Sequence, residues 1–260
     1  MTWLYPKADQ IVAVSNGAAE SLSEFSKIPI HKIKAIYNGV IDVNKLKLSQ
    51  EKVDHPWFGP QQVDEPVIVA VGRLQAQKDY PMMLKAFALV RNKRKAKLLI
   101  LGEGELRKEL ENLANTLGIS TNVSFHGFES NPFKFLANAD VFALSSQFEG
   151  LPTVLIEALA CGCSVVSTNC PSGPEEILEK GKFGTLVNVG DENAFSDGLL
   201  AVLEAKVSSE KAENQQKTIL ANHGQKFNVD TAFEEYSKVL GLTPEDLILE
   251  SSASKVEGKT

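Results

Sequence analysis

Short runs of β-branched and other apolar residues alternate with amphipathic stretches along most of the chain. The runs at 11–15 (IVAVS), 34–38 (KAIYN), 67–72 (VIVAVG), 97–102 (KLLILG), 123–127 (VSFHG), 140–146 (DVFALSS), 164–169 (SVVSTN) and 184–188 (GTLVN) read as strands. Between them, 80–94, 103–117, 152–161 and 192–204 read as helices; in the first, Met83, Phe87 and Val90 recur at helical spacing. Near-continuous apolar strands alternating with helices imply βαβ units. The expected fold class is α/β, a Rossmann-like parallel sheet with helices on both faces. Ligands of such sheets bind outside the carboxyl ends of the strands, so the strand-to-helix loops are where chemistry is expected.

The pattern breaks at 42–66, a polar stretch with three prolines, which reads as a linker. The piece before it, 1–41, holds two strands and one helix, too little for an independent core, and reads as the end of a domain whose beginning is absent. The main domain is expected at 67–205, two polar helices at 206–240, and a disordered Ser/Lys/Gly-rich tail at 241–260.

Composition adds exclusions. The chain has 260 residues, 43% hydrophobic and 23% charged, with a net charge of −6, which argues against disorder and against electrostatic capture of nucleic acid. Three cysteines make no complete disulfide framework and fit a reducing, cytoplasmic setting. No apolar stretch has the length to span a bilayer, and the opening MTWLYPKADQ lacks the form of a signal peptide. The run RNKRKAK (91–97) is either a solvated helix end or a weak contact with an anionic membrane, so membrane association is at most peripheral.

Two loops carry candidate chemistry. In VGRLQAQK (71–78) a strand ends at Gly72, and Arg73 and Lys78 precede a helix start; these cations suit a diphosphate or are plain surface charges. In FEGLPTVLIEALACG (148–162), Glu149 lies in the loop and Glu157 eight residues on in the next helix, with Pro152 suited to the first helical position. The amides of Leu151 and Thr153 suit an anion at that helix start, whereas the carboxylates suit sugar or ribose hydroxyls. The alternative is ordinary helix electrostatics for Glu149 and a solvated face for Glu157. Gly102-Glu103-Gly104 reads as a tight turn, because Arg107 occupies the place a dinucleotide fingerprint reserves for Gly or Ala. Cys161, Cys163, Cys170 and His126 match no zinc spacing, and no G-x-S-x-G elbow is present.

Taken together, VGRLQAQK, LGEGELRKEL, VSFHGF, NADVFALSS, FEGLPTVLIEALACG and CPSGPEEIL resemble, in order and spacing over roughly 8–205, the C-terminal nucleotide-sugar-binding domain of family 4 retaining glycosyltransferases of GT-B architecture. AVSNGAAESLSEF and AIYNGV resemble the last portion of that family's N-terminal domain.

The resemblance implies a retaining hexosyltransferase donor domain. Arg73 and Lys78 would hold the donor diphosphate, Glu149 the sugar hydroxyls and Glu157 the ribose. The backbone of Gly150, Leu151, Pro152 and Thr153 would cradle sugar and phosphate. Gly72 ends the first strand of the domain at the diphosphate, and Gly127 and Phe128 would flank the base. It implies no cofactor and no metal, with a nucleotide sugar, UDP over GDP, as substrate. The partners implied are a glycan or lipid-linked acceptor in surface polysaccharide synthesis and a separate polypeptide supplying the N-terminal domain. The alternative is a non-catalytic nucleotide-sugar-binding module or a remnant. His31 stands in no matching motif. In the intact fold the helix expected near 229–240 crosses back toward the N-terminal domain, leaving apolar surface uncovered here.

Overall fold

In the central strands, side chains alternate between two cores. Val67 and Val69 enter one cluster with Leu99, Leu101, Phe142 and Leu144, while Ile68 and Ala70 enter another with Leu98, Ile100, Val141 and Ala143. Both faces of the strands are therefore buried, which is why they read as unbroken apolar runs. The computed structural model describes residues 5–59, 65–205 and 210–242. Its strands are β1 (Ile11–Ala13), β2 (Ile33–Ala35), β3 (Val67–Val71), β4 (Lys97–Leu101), β5 (Val123–Gly127), β6 (Val141–Leu144), β7 (Val165–Thr168) and β8 (Thr185–Val187). Its helices are α1 (Asn16–Ser26), α2 (Val43–Lys47), α3 (Tyr80–Lys93), α4 (Arg107–Thr116), α5 (Pro132–Asn138), α6 (Thr153–Ala160), α7 (Pro174–Ile177), α8 (Glu192–Glu204), α9 (Glu210–Gly224) and α10 (Val229–Leu240).

The main sheet is parallel with order β5-β4-β3-β6-β7-β8. The chain winds outward from β3 to β5, then returns to lay β6 on the other side of β3. Helices α5, α6 and α9 pack on one face and α3, α4 and α8 on the other. Each fully buried Leu, Ile or Val in these layers stabilises the fold by about 1.5–3 kcal/mol. The α/β expectation thus holds. The order reverses between β3 and β6, and their diverging loops open a crevice at the carboxyl edge.

Several boundaries differ from the sequence reading for local reasons. The helix expected at 103–117 starts at Arg107, because 102–106 form a turn held by hydrogen bonds from the Leu74 amide to the Glu103 carbonyl and from the Leu106 amide to the Leu74 carbonyl. Helix α6 starts at Thr153 with Pro152 as its N-cap, one place before the first helical position expected for it. Segment 42–66 holds a capped helix: Asp42 accepts from the amides of Asn44 and Lys45. Val53 is buried, and Phe58 packs edge-on against Phe135 at 5.6 Å. Its apolar residues are spaced irregularly, so periodicity did not disclose this docking. The tail expected from 241 lies, from residue 243 on, outside the described residues.

Strands β1 and β2 form a separate two-stranded parallel sheet with α1, and their core is five residues: Ile11, Ala13, Ala19, Ile28 and Ile33. Helix α10 returns to this unit. Its first turn abuts Gly39, and Glu235 reaches Lys34 at 2.9 Å. Phe25, Phe233 and Leu240 are exposed, so both α1 and α10 present apolar side chains at the surface. No helix of the described residues is long and apolar enough to cross a membrane. The basic run is tied down locally: Lys93 pairs with Asp197, Arg94 donates to the Leu203 carbonyl, and Arg91 and Lys97 flank Glu65. That favours the helix-end reading over a membrane contact.

Candidate functional site

The loops leaving β3 and β6 are laced together at the crevice. The Gln147 amide donates to the Gln77 carbonyl, Gln77 Nε2 to the Phe148 carbonyl, and Ser145 Oγ to the Lys78 carbonyl. Asp79 caps α3 through the Met82 amide from a left-handed backbone, and Gln147 Nε2 donates to its second oxygen. This lacing fixes Lys78, which is neither solvated nor free. Its Nζ lies 2.6 Å from Glu149 Oε1, which also accepts from Ser146 Oγ at 2.7 Å. Glu149 Oε2 has only a 3.4 Å contact with Gln77 Nε2. One carboxylate oxygen is saturated, and the other has capacity left for a hydroxyl donor.

Arg73 stands at the same edge, exposed, and its guanidinium has no partner among the described residues. The two cations expected together thus have different states, one paired and one free. Gly150 and Thr153 are exposed at the start of α6, and the amides of Gly150, Leu151 and Thr153 have no acceptor among the described residues. Unsatisfied amide donors at and just before a helix N-terminus favour an anion. Leu151 and Pro152 are buried beneath them.

Glu157 lies on α6, half-buried, and its carboxylate has no hydrogen-bond partner among the described residues. Burial raises its pKa, and the Lys45 charge partly opposes that. Lys45 belongs to α2, inside the segment read as a linker, and no sequence signal pointed to this influence. The charge of Glu157 and, above all, burial push the Cys161 thiol up to about 12. Cys163 and Cys170 are buried, and burial raises their thiols as well, which disfavours the reactive thiolate form.

Gly72, at the end of β3, accepts on its carbonyl from the Tyr80 hydroxyl at 3.1 Å. On the far side, Gly127 ends β5 with φ +98° and its carbonyl accepts from the Gly102 amide at 2.7 Å. Phe128 next to it is 79% exposed. Arg107 bonds Glu103, Glu111 and the Phe125 carbonyl, a clasp over the β4–β5 edge that accounts for its place in the would-be fingerprint. No group of residues suited to a metal ion occurs among the described residues. Gln77, Ser146 and the exposed Phe148 escaped the sequence reading; their only signal was membership of the two strand-end loops.

Comparison with known proteins bears on the family and the fold. Residues 53–219 match the family model described as glycosyl transferases group 1. The chain is 37% identical over 215 residues to the N-acetylgalactosamine-N,N'-diacetylbacillosaminyl-diphospho-undecaprenol 4-alpha-N-acetylgalactosaminyltransferase of Campylobacter jejuni, covering 83% of this chain and 56% of that enzyme. A glycosyltransferase from Rickettsia africae superposes with a TM-score of 0.76 at 18% identity, over 90% of this chain and 64% of that one. Anabaena HepE in complex with UDP superposes at 0.73 with 22% identity, over 90% and 64%. The chain spans about half the length of the curated relatives it matches.

Proposed function

The chain belongs to the group 1 glycosyltransferases, and from that premise we propose that its crevice binds a UDP-sugar as the donor half of a retaining hexosyltransferase. The observation that carries the reading is the state of Arg73, Lys78 and Glu149: an exposed cation just after β3, a pinned ammonium and a carboxylate with one open oxygen belong to the loops that leave β3 and β6. Arg73 and Lys78, with the free amides at the start of α6, meet the diphosphate. Glu149 Oε2 accepts from a sugar hydroxyl, Glu157 takes the ribose, and Gly127 and Phe128 flank the base. Gly72 lets the diphosphate approach the end of β3.

In the transfer the bond between the anomeric carbon and the diphosphate oxygen breaks, and its electron pair leaves on the diphosphate. The acceptor hydroxyl forms the new glycosidic bond, and its proton passes to the departing diphosphate. Arg73 and Lys78 stabilise the leaving charge without a bound metal; loss of one such group costs about 10²–10³ in rate. UDP is favoured because HepE, of the same fold, was solved with it. The Campylobacter relative is named for a diphospho-undecaprenol acceptor. A lipid-linked glycan acceptor at the cytoplasmic face of a membrane follows.

Calorimetric titration with UDP, GDP and NAD tests the donor reading. Saturable UDP binding that Glu157→Ala abolishes is expected. Folded protein that binds none of the three nucleotides overturns it.

A further inference from the structure

The first turn of α1 has its amide donors satisfied in an unusual way. Ser15, the N-cap, accepts from the Ala18 amide. The preceding two amides are taken by a carboxylate some 160 residues away: Glu176 Oε2 accepts from the Asn16 amide at 2.8 Å, and Oε1 from the Gly17 amide at 2.8 Å. Glu176 Oε2 also accepts from Asn16 Nδ2 at 3.0 Å and from the Tyr37 hydroxyl at 2.9 Å. Four hydrogen bonds thus converge on one side chain, each crossing from the β1–β2 unit to the main domain. A carboxylate at a helix N-terminus is favoured both by the open amides and by the helix dipole. Burial, and then the bond to Glu176, push the Tyr37 hydroxyl up to about 12, so it stays a donor.

This joint reaches the donor loop by two routes. Ser15 Oγ, adjacent to the clamped amides, donates to the Gly150 carbonyl at 2.8 Å. On the other side, the segment leading to Glu176 lies directly against the loop: the Glu149 amide donates to the Pro171 carbonyl at 3.2 Å. Gly173 approaches so closely, with φ +97°, that a Cβ there would stand 2.4 Å from Pro152 Cδ. Gly17 in turn leaves room for Ser172, whose Oγ would be 2.9 Å from a Cβ at that position. Segment 170–176 is therefore clamped between the start of α1 and loop 149–152.

We propose that Glu176 is a positioning residue that couples the β1–α1–β2 unit to the donor loop, setting Gly150, and through it Glu149, for the ligand. Its consequence for ligand affinity rests on the nucleotide-sugar reading; the coupling itself does not. The test is hydrogen exchange on the full chain, with UDP titration in parallel, for Glu176→Gln and for the neighbouring exposed Glu175→Gln.

In Glu176→Gln, exchange at residues 16–17 and at the Glu149 amide is expected to speed at least about 10-fold, with β3 and β6 unchanged. The UDP Kd rises about 10-fold, and Glu175→Gln matches wild type. Tyr37→Phe, which removes one of the four bonds, gives a smaller change at the same two places and decides the matter should Glu176→Gln not fold. Faster exchange at α1 with an unchanged Glu149 amide reduces Glu176 to a helix cap and overturns the proposal. Wild-type protein that binds no UDP sinks the nucleotide-sugar reading alone, and the exchange result then decides the coupling.

Discussion

Lys78 Nζ and Glu149 Oε1 stand 2.6 Å apart across the junction of β3 and β6, with side-chain exposures of 16% and 9%. Removing either partner strands a charge in a largely dehydrated place. Lys78→Ala and Glu149→Ala are each expected to lower unfolding stability by about 3 kcal/mol. The double variant Lys78→Ala with Glu149→Ala loses less than the sum, because no orphan charge is left. Urea unfolding of the three variants checks this; additive losses would show that the pair is not coupled.

Arg73 makes the complementary case. With Arg73 exposed and its guanidinium without a partner among the described residues, Arg73→Ala is expected to move unfolding stability by no more than about 0.5 kcal/mol. The same change should weaken UDP about 10–100-fold, the loss of a charge-assisted contact, and leave uridine affinity unchanged. Calorimetry with the two ligands separates a diphosphate contact from a general effect on the crevice.

The contrast between these cations marks what the sequence could tell. Residue type and position after β3 brought both to the same edge, and the apolar runs disclosed the main-sheet strands to within a residue or two at each end. Nothing in a one-dimensional pattern says that Lys78 is pinned by Glu149 while Arg73 stays free, because pairing depends on the β3–β6 adjacency of a sheet whose order reverses there. Glu176 was hidden for the same reason: its partners Asn16, Gly17 and Tyr37 are about 140 to 160 residues away in sequence. Helix α2 and Phe58 were missed because a short capped turn and a few irregularly spaced apolar residues produce no period.

Stability should fall on mild acidification, in part through His223. Its ring stacks on Phe183 at 3.6 Å, Nε2 meets the Ile177 carbonyl at 2.6 Å, and burial depresses its pKa. The Ile177 bond and Glu179 act in the opposite sense, and Lys226 and Lys182 reinforce the depression. A depressed folded-state pKa means that the unfolded chain binds the proton first. The contribution is therefore fully present above the unfolded value of about 6.5 and is lost as pH falls below it toward the folded value. His55 is depressed as well, by burial and then by His126, and acts with the same sign. Urea midpoints between pH 8 and 5.5 should decline in wild type and decline less in His223→Gln, which keeps a donor for Ile177. Equal slopes in the two proteins would remove His223 from the account.

Gly102 tests how the loops at the crevice are held. Its amide donates to the Gly127 carbonyl, and the Gly72 amide donates to the Leu101 carbonyl, so the ends of β3, β4 and β5 are stitched side by side. A Cβ on Gly102 would fall 2.0 Å from the Gly72 carbonyl oxygen, and its φ of +148° is one that L side chains rarely adopt. The clash is with backbone, which has no rotamer to yield. Gly102→Ala is therefore expected to cost at least about 3 kcal/mol, combining overpacking with backbone strain. Gly118 supplies the control: its φ is +69° and a Cβ there would meet nothing within 4 Å, so Gly118→Ala should cost only about 1 kcal/mol. Because relief of the clash must push Gly72 and Arg73 away from β4, Gly102→Ala should also weaken UDP binding when the protein is held folded at low temperature, whereas Gly118→Ala should not. Comparable stability losses in the two variants would mean that the β4 loop yields freely, and that the position of Arg73 is set from the β6 side alone.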